Sequence, residues 1–222
     1  MKSVGGMSNK RPIVMVSSAV YGYQEFLDRV YDLLVSLGYE VWMSHKGTIP
    51  VDSNHDTIEC CLDAVRRCDL FLGIITGKYG KTERDGLSAT HLEFREAIRV
   101  NKLRWFLVDD RVVFARNFLK HLYWGENRKA PLKRENLWVK RFNQFDDLRL
   151  IDMYEEACNK SYDKDGKVRV GWVQTYSDDV AALLFTESQF ARYLELEQIL
   201  KTNLSDRDGV LDRMNVTEVD DE

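Results

Sequence analysis

The chain has 222 residues, of which 44% are hydrophobic and 31% charged, and its formal net charge at pH 7 is −4. This length can bury a substantial core without disulfide support, and the composition is ordinary for a globular protein. No stretch approaches the 18 apolar residues of a membrane helix, and residues 1–11 contain no apolar signal core. We therefore expect no membrane association and a cytoplasmic location.

Strands and helices alternate along the first half of the chain. The pattern predicts strands at Ile13 to Val16, Glu40 to Met43, Leu70 to Thr76 and Arg104 to Val108. Helices are predicted between them, at Tyr23 to Leu37, from Asp56 onward and at Thr90 to Asn101. Short strand-helix connections predict an α/β fold with a flavodoxin-like or Rossmann-like parallel sheet of four or five strands and helices on both faces.

The pattern changes after Asp110. Helices are predicted near 114–121, 148–158 and 177–200, with an extended stretch at 168–173, so the second half is a mainly α-helical extension. Residues 203–222 carry seven acidic and two basic residues, and we expect this tail to be disordered. The predicted organisation is a domain at 11–110, a basic, aromatic and helical extension at 111–202, and the acidic tail.

The most informative segment is Leu70 to Ala97. A continuous apolar strand leads into a glycine-rich polar loop and then into a capped helix, which is how a buried parallel strand forms one wall of a binding crevice. Glu93 lies one turn into that helix, at the edge of its apolar face. Ligands of open α/β sheets bind at the carboxyl ends of the strands, so Glu93 is a candidate for chemistry. The alternative is a first-turn glutamate that only stabilises the helix dipole.

Two nucleotide and metal motifs are excluded by their spacing. Gly80-Lys81-Thr82 is not a phosphate-binding loop, because position 75 holds an isoleucine and no helix follows at once. His91-x-Glu93 lacks the downstream Pro-Cys-x-x-Cys of zinc deaminases. The four cysteines, Cys60, Cys61, Cys68 and Cys158, form no Cys-x-x-Cys pair and are interpreted as reduced thiols, with Cys60 and Cys61 as small helix residues. We predict no metal site.

The segment from Arg111 to Arg141 holds nine Lys or Arg residues against two Glu, interleaved with aromatic residues. This pattern is typical of nucleic-acid binding, but it fits equally an insertion that covers one face of the sheet. Because the whole chain is acidic, we favour the second interpretation and do not expect a nucleic-acid partner. A partner protein and a phosphate-bearing ligand stay open as alternatives.

Four motifs occur in the order typical of one family. They are Val14 to Ser18 after the first strand, Cys68 to Ile75, Gly77-Lys78-Tyr79-Gly80, and Ser88 to Phe94. Together they resemble the DUF4062 family, of the Toll/interleukin-1 receptor (TIR)-like fold, over residues 11–110. The resemblance implies a TIR-like domain of the bacterial type, often found in antiphage defence, and a partner that is a like domain or a defence effector.

Catalytic relatives of this fold cleave the nicotinamide glycosidic bond of NAD, and some cyclise the product. The resemblance implies that Glu93 is the catalytic glutamate, that Ser17, Ser18, Gly77 and Tyr79 line the crevice, and that NAD is a substrate, with no cofactor required. A carboxylate suits this chemistry because it stabilises an oxocarbenium ion. Two alternatives stay open: a non-enzymatic assembly module, and a hydrolase or transferase acting on the N-ribosyl bond of nucleosides or nucleotides.

Overall fold

Five parallel strands form the centre of the structure, a computed structural model that describes residues 11–51, 53–123, 145–162, 168–170 and 172–204. The strand order is β2-β1-β3-β4-β7 and every pairing is parallel. The strands are β1 (Ile13–Ser18), β2 (Glu40–Trp42), β3 (Leu70–Ile75), β4 (Leu103–Asp109) and β7 (Trp172–Tyr176). Two short strands, β5 (Lys160–Tyr162) and β6 (Val168–Val170), form a separate antiparallel pair.

Among the described residues, six helices connect and follow these strands: α1 (Gln24–Ser36), α2 (Thr57–Arg67), α3 (Ala89–Arg99), α4 (Asp110–Tyr123), α5 (Arg149–Cys158) and α6 (Asp179–Leu204). A short 3-10 turn at Ser44–Lys46 follows β2. Side chains at Asp56 and Ser88 cap α2 and α3 by accepting hydrogen bonds from the backbone amides of Glu59 and His91. These caps satisfy first-turn amides that would otherwise have no partner.

The alternation of side chains along the strands divides the core into two layers. On β1, Ile13 and Met15 pack into the layer that contains α2, α3 and α5, whereas Val14 and Val16 pack against α1 and α6. A period of two is the natural geometry of a strand, and both faces are apolar because helices cover both. Ser17 therefore falls on the same face as Ile13 and Met15, toward α2 and α3.

The predicted α/β fold, with a parallel sheet of four or five strands, helices on both faces and a mainly helical second half, is confirmed. The fifth strand is β7, which comes from residues 172–176 and so lies beyond the predicted domain boundary at residue 110. Residues 124–141 of the basic segment and 205–222 of the acidic tail lie outside the described residues. Within the part of the chain that is described, no helix is both long enough and apolar enough to span a membrane.

Gly73, in the middle of β3, sets how closely α3 approaches the sheet. A Cβ atom built on Gly73 would lie 2.6 Å from the rings of Phe94 on α3 and Phe106 on β4. Both rings are buried and pack against each other with centroids 5.0 Å apart. The absence of a side chain at Gly73 therefore allows Phe94 to lie directly on the sheet, and the depth of Phe94 fixes the position of its neighbour Glu93.

We expect Gly73→Ala to destabilise the protein by about 1–3 kcal/mol, because the added methyl group overpacks a site whose aromatic neighbours have little room to move. Urea denaturation followed by circular dichroism measures this cost. The same substitution in a Phe94→Leu background should cost less, since the smaller side chain leaves space for the methyl group. An equal cost in both backgrounds would show that Phe94 is not the neighbour that Gly73 accommodates.

Candidate active site

The sheet changes winding direction between β1 and β3, and a cavity of about 470 Å³ opens at the carboxyl ends of the strands there. Such switch points are where open α/β sheets bind ligands. The walls come from the loop after β1, the turn after β2, the glycine-rich loop and the first turns of α2 and α3. The lining residues are Ser18, Ala19, Val20, Ser44, Thr57, Ile58, Cys61, Gly80, Lys81, Glu83, Ser88, Ala89, Thr90 and Glu93.

Glu93 lies at the base of this cavity with only 6% of its surface exposed. The Ser17 hydroxyl donates a hydrogen bond to Glu93 Oε2. This contact follows from strand alternation, which turns Ser17 toward α3, and from the helical position of Glu93 between Thr90 and Ala97 on the buried side of α3. Ser17 and Glu93, which the sequence predicted as site residues, are thus brought into direct contact.

Cys61 on α2 is a second residue near Glu93, and sequence reasoning missed it. Its side chain lines the same cavity as Glu93. The available signal was helical spacing, because Thr57 and Cys61 lie four residues apart on one face of α2 and both line the cavity. Burial, together with the nearby Glu93, raises the pKa of the Cys61 thiol to about 12, so the thiol stays protonated.

The environment of Glu93 is unusual for a buried carboxylate. Burial raises the pKa of Glu93 to about 7, and the neighbouring Ser17 hydroxyl and Cys61 thiol only partly oppose this effect. In the described part of the chain, the carboxyl accepts a hydrogen bond from the neutral Ser17 hydroxyl and forms no ion pair. Glu96, one turn further along α3, is instead paired with Arg66 and Arg99, and these guanidinium groups lower its pKa.

Features that favour an anionic ligand surround the mouth of the cavity. The first turns of α2 and α3 both line it, and helix N-termini attract negative charge. Lys81 is on the rim, where its ammonium group lies 3.1 Å from Glu83. Ser18 also lines the cavity, in agreement with its predicted location, and its hydroxyl donates to the carbonyl of Ala19 at 3.3 Å.

The structure does not bring Gly77 and Tyr79 into this cavity. The Gly77 amide donates to the Tyr23 hydroxyl at 3.2 Å. The Tyr79 ring is 1% exposed and lies under the guanidinium of Arg149, 4.2 Å from ring centroid to Cζ. Neither residue is among those that line the cavity, and their roles in substrate binding stay predictions.

Tyr79 instead belongs to a buried chain of polar groups that supports the glycine-rich loop. Its hydroxyl lies 2.7 Å from His91 Nδ1, and His91 Nε2 lies 3.2 Å from Glu156 Oε2 on α5. Arg95 holds the same Glu156 carboxylate with two hydrogen bonds of 2.6 and 2.9 Å. His91 and Arg95 together lower the pKa of Glu156 to about 2, against the effect of burial. The loop and α3 are thereby joined to α5.

A second cavity, of about 530 Å³, lies beyond the carboxyl ends of β4 and β7. Tyr176 lines it, and the buried Tyr176 hydroxyl has no hydrogen-bond partner among the described residues. The neighbouring Asp109 carboxylate is paired with Arg111. Elsewhere, too, the described residues include no group of three His, Cys, Asp or Glu side chains arranged to hold a metal ion.

Comparisons with known proteins give a family and a set of similar solved structures, two of which follow. The family described as "Domain of unknown function (DUF4062)" matches residues 13–151, more than half of the chain. A CMP N-glycosidase of Clostridium botulinum is 13% identical, with a TM-score of 0.39 over 78% of this chain and 96% of that one. A conserved protein of Enterococcus faecalis V583 is 11% identical, with a TM-score of 0.41 over 81% and 99%. No curated protein matches. Likenesses this weak carry no information on activity.

The raised pKa of Glu93 makes stability depend on pH in a defined direction. The pKa of Glu93 is about 7 in the folded protein, above the ordinary value of 4.5. Between these pH values the folded protein keeps a proton on Glu93 that the unfolded chain has released. The stability that protonated Glu93 contributes is therefore lost as pH rises from about 4.5 to about 7. Glu93→Gln removes the titration. We expect the variant to gain about 2–3 kcal/mol relative to wild type between pH 5 and pH 8, measured by urea denaturation.

Glu96→Gln is the matched control on the same helix. Because the pKa of Glu96 is lowered, its contribution is lost only as pH falls below the ordinary value of 4.5. The difference between Glu96→Gln and wild type should therefore stay constant from pH 5 to pH 8. A constant difference for Glu93→Gln as well would show that Glu93 is already ionised and compensated in the folded protein.

Tyr176→Phe should be neutral or stabilise the protein by up to about 1 kcal/mol, because it removes a buried hydroxyl that has no partner among the described residues. Tyr39→Phe is the comparison, since the Tyr39 hydroxyl donates to the Phe190 carbonyl at 2.6 Å and its loss should cost about 1 kcal/mol or more. Thermal and urea denaturation distinguish the two. A destabilised Tyr176→Phe protein would indicate that water or a ligand satisfies the hydroxyl.

Proposed function

The chain belongs to the DUF4062 family, and we propose that it is an enzyme that cleaves the N-glycosidic bond of a nucleotide, with Glu93 as the catalytic carboxylate. The bond between ribose C1′ and the base nitrogen breaks in such a reaction, and positive charge develops on the sugar ring. An ionised carboxylate beside the ring stabilises that charge. The proposed step uses the substrate, water and side chains of the chain itself.

The observation that supports the proposal is that, among the described residues, Glu93 accepts a hydrogen bond from the neutral Ser17 hydroxyl and has no cationic partner. Burying a carboxylate without a cation costs free energy, and Glu96 avoids this cost through Arg66 and Arg99. Glu93 lines the cavity at the point where the sheet changes winding direction. Its negative charge is therefore available to a cationic transition state.

The electrons of the C1′–N bond leave with the base, which is protonated by solvent when it is not already neutral. Glu93 stabilises the oxocarbenium ion until water attacks C1′ and loses a proton. The products are the free base and a ribosyl phosphate. Because Glu93 acts in its ionised form, the rate should rise with pH through about 7, the pKa to which burial raises this residue.

A phosphate group on the substrate fits the rim of the cavity. The N-terminal turns of α2 and α3 meet there, and Lys81 adds a positive charge. This arrangement favours a nucleotide over an uncharged nucleoside. NAD is one such nucleotide, and its nicotinamide leaves as a neutral base.

The proposal therefore includes an NAD glycohydrolase or cyclase that yields ADP-ribose or its cyclic form. The biological role that we propose for such an enzyme is antiphage defence, with activation through self-assembly or a defence partner.

The direct test is to incubate purified protein with NAD, CMP and the other nucleoside monophosphates, and with the matching nucleosides, and to resolve the products by chromatography and mass spectrometry. We expect release of free base from one or more nucleotides. Glu93→Gln should lower the rate about 100-fold or more, since it removes the charge while preserving shape. Glu96→Gln should retain most of the activity.

Two results would contradict the proposal. One is no turnover of any nucleotide by folded protein, with or without lysate from phage-infected cells as a source of an activator. The other is full activity in Glu93→Gln. For the proposed role, cells that express wild type should resist phage better than cells that express Glu93→Gln. Equal protection would instead favour a non-enzymatic assembly module.

A further inference from the structure

Ser17 and Ser18 are neighbours at the end of β1, yet their hydroxyl groups have different surroundings. Ser17 is 2% exposed, and its hydroxyl donates to Glu93 Oε2 on α3. Ser18 is among the described residues that line the cavity, whereas Ser17 is not. The Ser18 hydroxyl donates to the carbonyl of Ala19 at 3.3 Å. Of two adjacent serines, one therefore contacts the candidate catalytic group and the other borders the space for a ligand.

The register of the sheet places Ser17 beneath α3. In the parallel pairing of β1 with β3, Ser17 lies beside Gly73. Paired residues of neighbouring strands present their side chains on the same face of the sheet. Gly73 is the position at which Phe94 of α3 lies directly on the sheet. Ser17 thus lies under the turn of α3 that carries both Phe94 and Glu93, and the contact follows from the strand register and the close packing of the helix.

The contact fixes the orientation of the Glu93 carboxyl. The last side-chain torsion of a glutamate is soft, so a carboxyl group without a fixed donor samples a broad range of orientations. Glu93 lines the cavity and Ser17 does not, so the hydroxyl holds the carboxyl from the side away from the ligand space. A neutral donor also favours the ionised form of a carboxyl without cancelling its charge. The carboxyl is therefore oriented and keeps its negative charge.

We propose that Ser17 is a positioning residue for Glu93, whose hydroxyl holds the carboxyl toward the ligand space and does not itself touch the substrate. The inference rests on the function proposed above, in which Glu93 is the catalytic carboxylate. Electrostatic stabilisation of a transition state is effective when the stabilising group is already in place. Ser18, which lines the cavity, is the serine of this pair that a substrate can reach.

The titratable groups around Glu93 leave the effect of Ser17 distinguishable. On α2, the pKa of the Cys61 thiol is raised to about 12, so this thiol stays protonated over the range in which Glu93 titrates. On the glycine-rich loop, Lys81 and Glu83 line the same cavity and pair with each other at 3.1 Å. A serine hydroxyl does not titrate in this range. A change in the titration of Glu93 after substitution of Ser17 can therefore be assigned to the altered donor.

The first test compares Ser17→Ala and Ser17→Cys with the matched control Ser18→Ala. Alanine removes the donor, so the pKa of Glu93 should rise by about half a unit or more. Cysteine supplies a weaker donor, so the rise should be smaller. Ser18→Ala should leave the pKa of Glu93 unchanged. Carboxyl ¹³C NMR titration of the full chain measures these values without reference to activity.

The second test is kinetic and uses whichever of NAD, CMP and the other nucleoside monophosphates wild type cleaves fastest. Ser17→Ala should lower kcat about tenfold with little change in KM, because the carboxyl loses its orientation while the substrate loses no contact. The midpoint of its pH–rate profile should move to higher pH together with the pKa of Glu93. Ser17→Cys should recover part of the lost kcat. Ser18→Ala should act mainly on KM.

The inference is overturned if Ser17→Ala titrates like wild type, or if Ser18→Ala shifts the pKa of Glu93 as much. A raised KM with unchanged kcat in Ser17→Ala would also overturn it, since Ser17 would then contact the substrate. If Ser17→Ala does not fold, Ser17→Cys decides: a raised pKa of Glu93 supports the inference, and an unchanged pKa refutes it. Shifts in the expected direction without turnover of any nucleotide would refute the proposed function and support the hold of Ser17 on Glu93. Turnover without a shift would do the reverse.

Discussion

The close packing of α3 on β3 is the contact on which the site depends. Gly73 leaves room for Phe94, and Phe71, Phe94 and Phe106 form a cluster with ring centroids 5.0 to 6.2 Å apart. Edge-on and tilted aromatic contacts of this kind are favourable and directional. Since Phe94 is fixed by its neighbours, Glu93 has no freedom to move outward. The carboxyl is therefore buried because its helix is anchored, rather than because burial suits a carboxyl.

Three glutamates in the same layer illustrate how surroundings decide the state of a carboxyl. Glu96 lies between two guanidinium groups, and Glu156 accepts hydrogen bonds from Arg95 and lies beside His91, so the pKa of each is lowered. Among the described residues, Glu93 has the neutral Ser17 hydroxyl and Cys61 thiol as neighbours, and its pKa is raised. Glu93 and Glu96 are three positions apart on α3, so the difference comes from the side chains that surround each carboxyl. Proteins commonly accept such a local cost in stability where a group is needed for function.

The sequence was sufficient for four strands of the sheet and for the helices around them, because strand alternation and helical periodicity are local rules. It also placed Glu93 at the edge of the apolar face of its helix, whereas Ser17 was expected at the crevice only from the family resemblance, and the hydrogen bond between the two was not predicted. The position of Tyr79 was harder to predict, because Tyr79 lies on a loop. The course of that loop depends on contacts with Arg149, which is distant in sequence, and with His91, which lies on α3. Cys61 was overlooked because a small residue on an inward helix face looks like ordinary core. The fifth strand was missed as part of the sheet because 62 residues separate β4 from β7, and extended character alone does not reveal which strand a segment joins.

The glycine-rich loop and the helices around the cavity are held in place by contacts with other parts of the fold. Electrostatic stabilisation of a transition state requires groups that are already in place, because reorganisation would consume the free energy gained. Tyr79, His91 and Glu156 brace the loop and α3 on the side away from the cavity, and Arg66 bridges Glu59 on α2 and Glu96 on α3. The two helices that present Cys61 and Glu93 are thus held by contacts outside the cavity. The Glu93 carboxyl can then stay in place without a cationic partner among the described residues. A substrate therefore does not have to displace an ion pair in order to reach it.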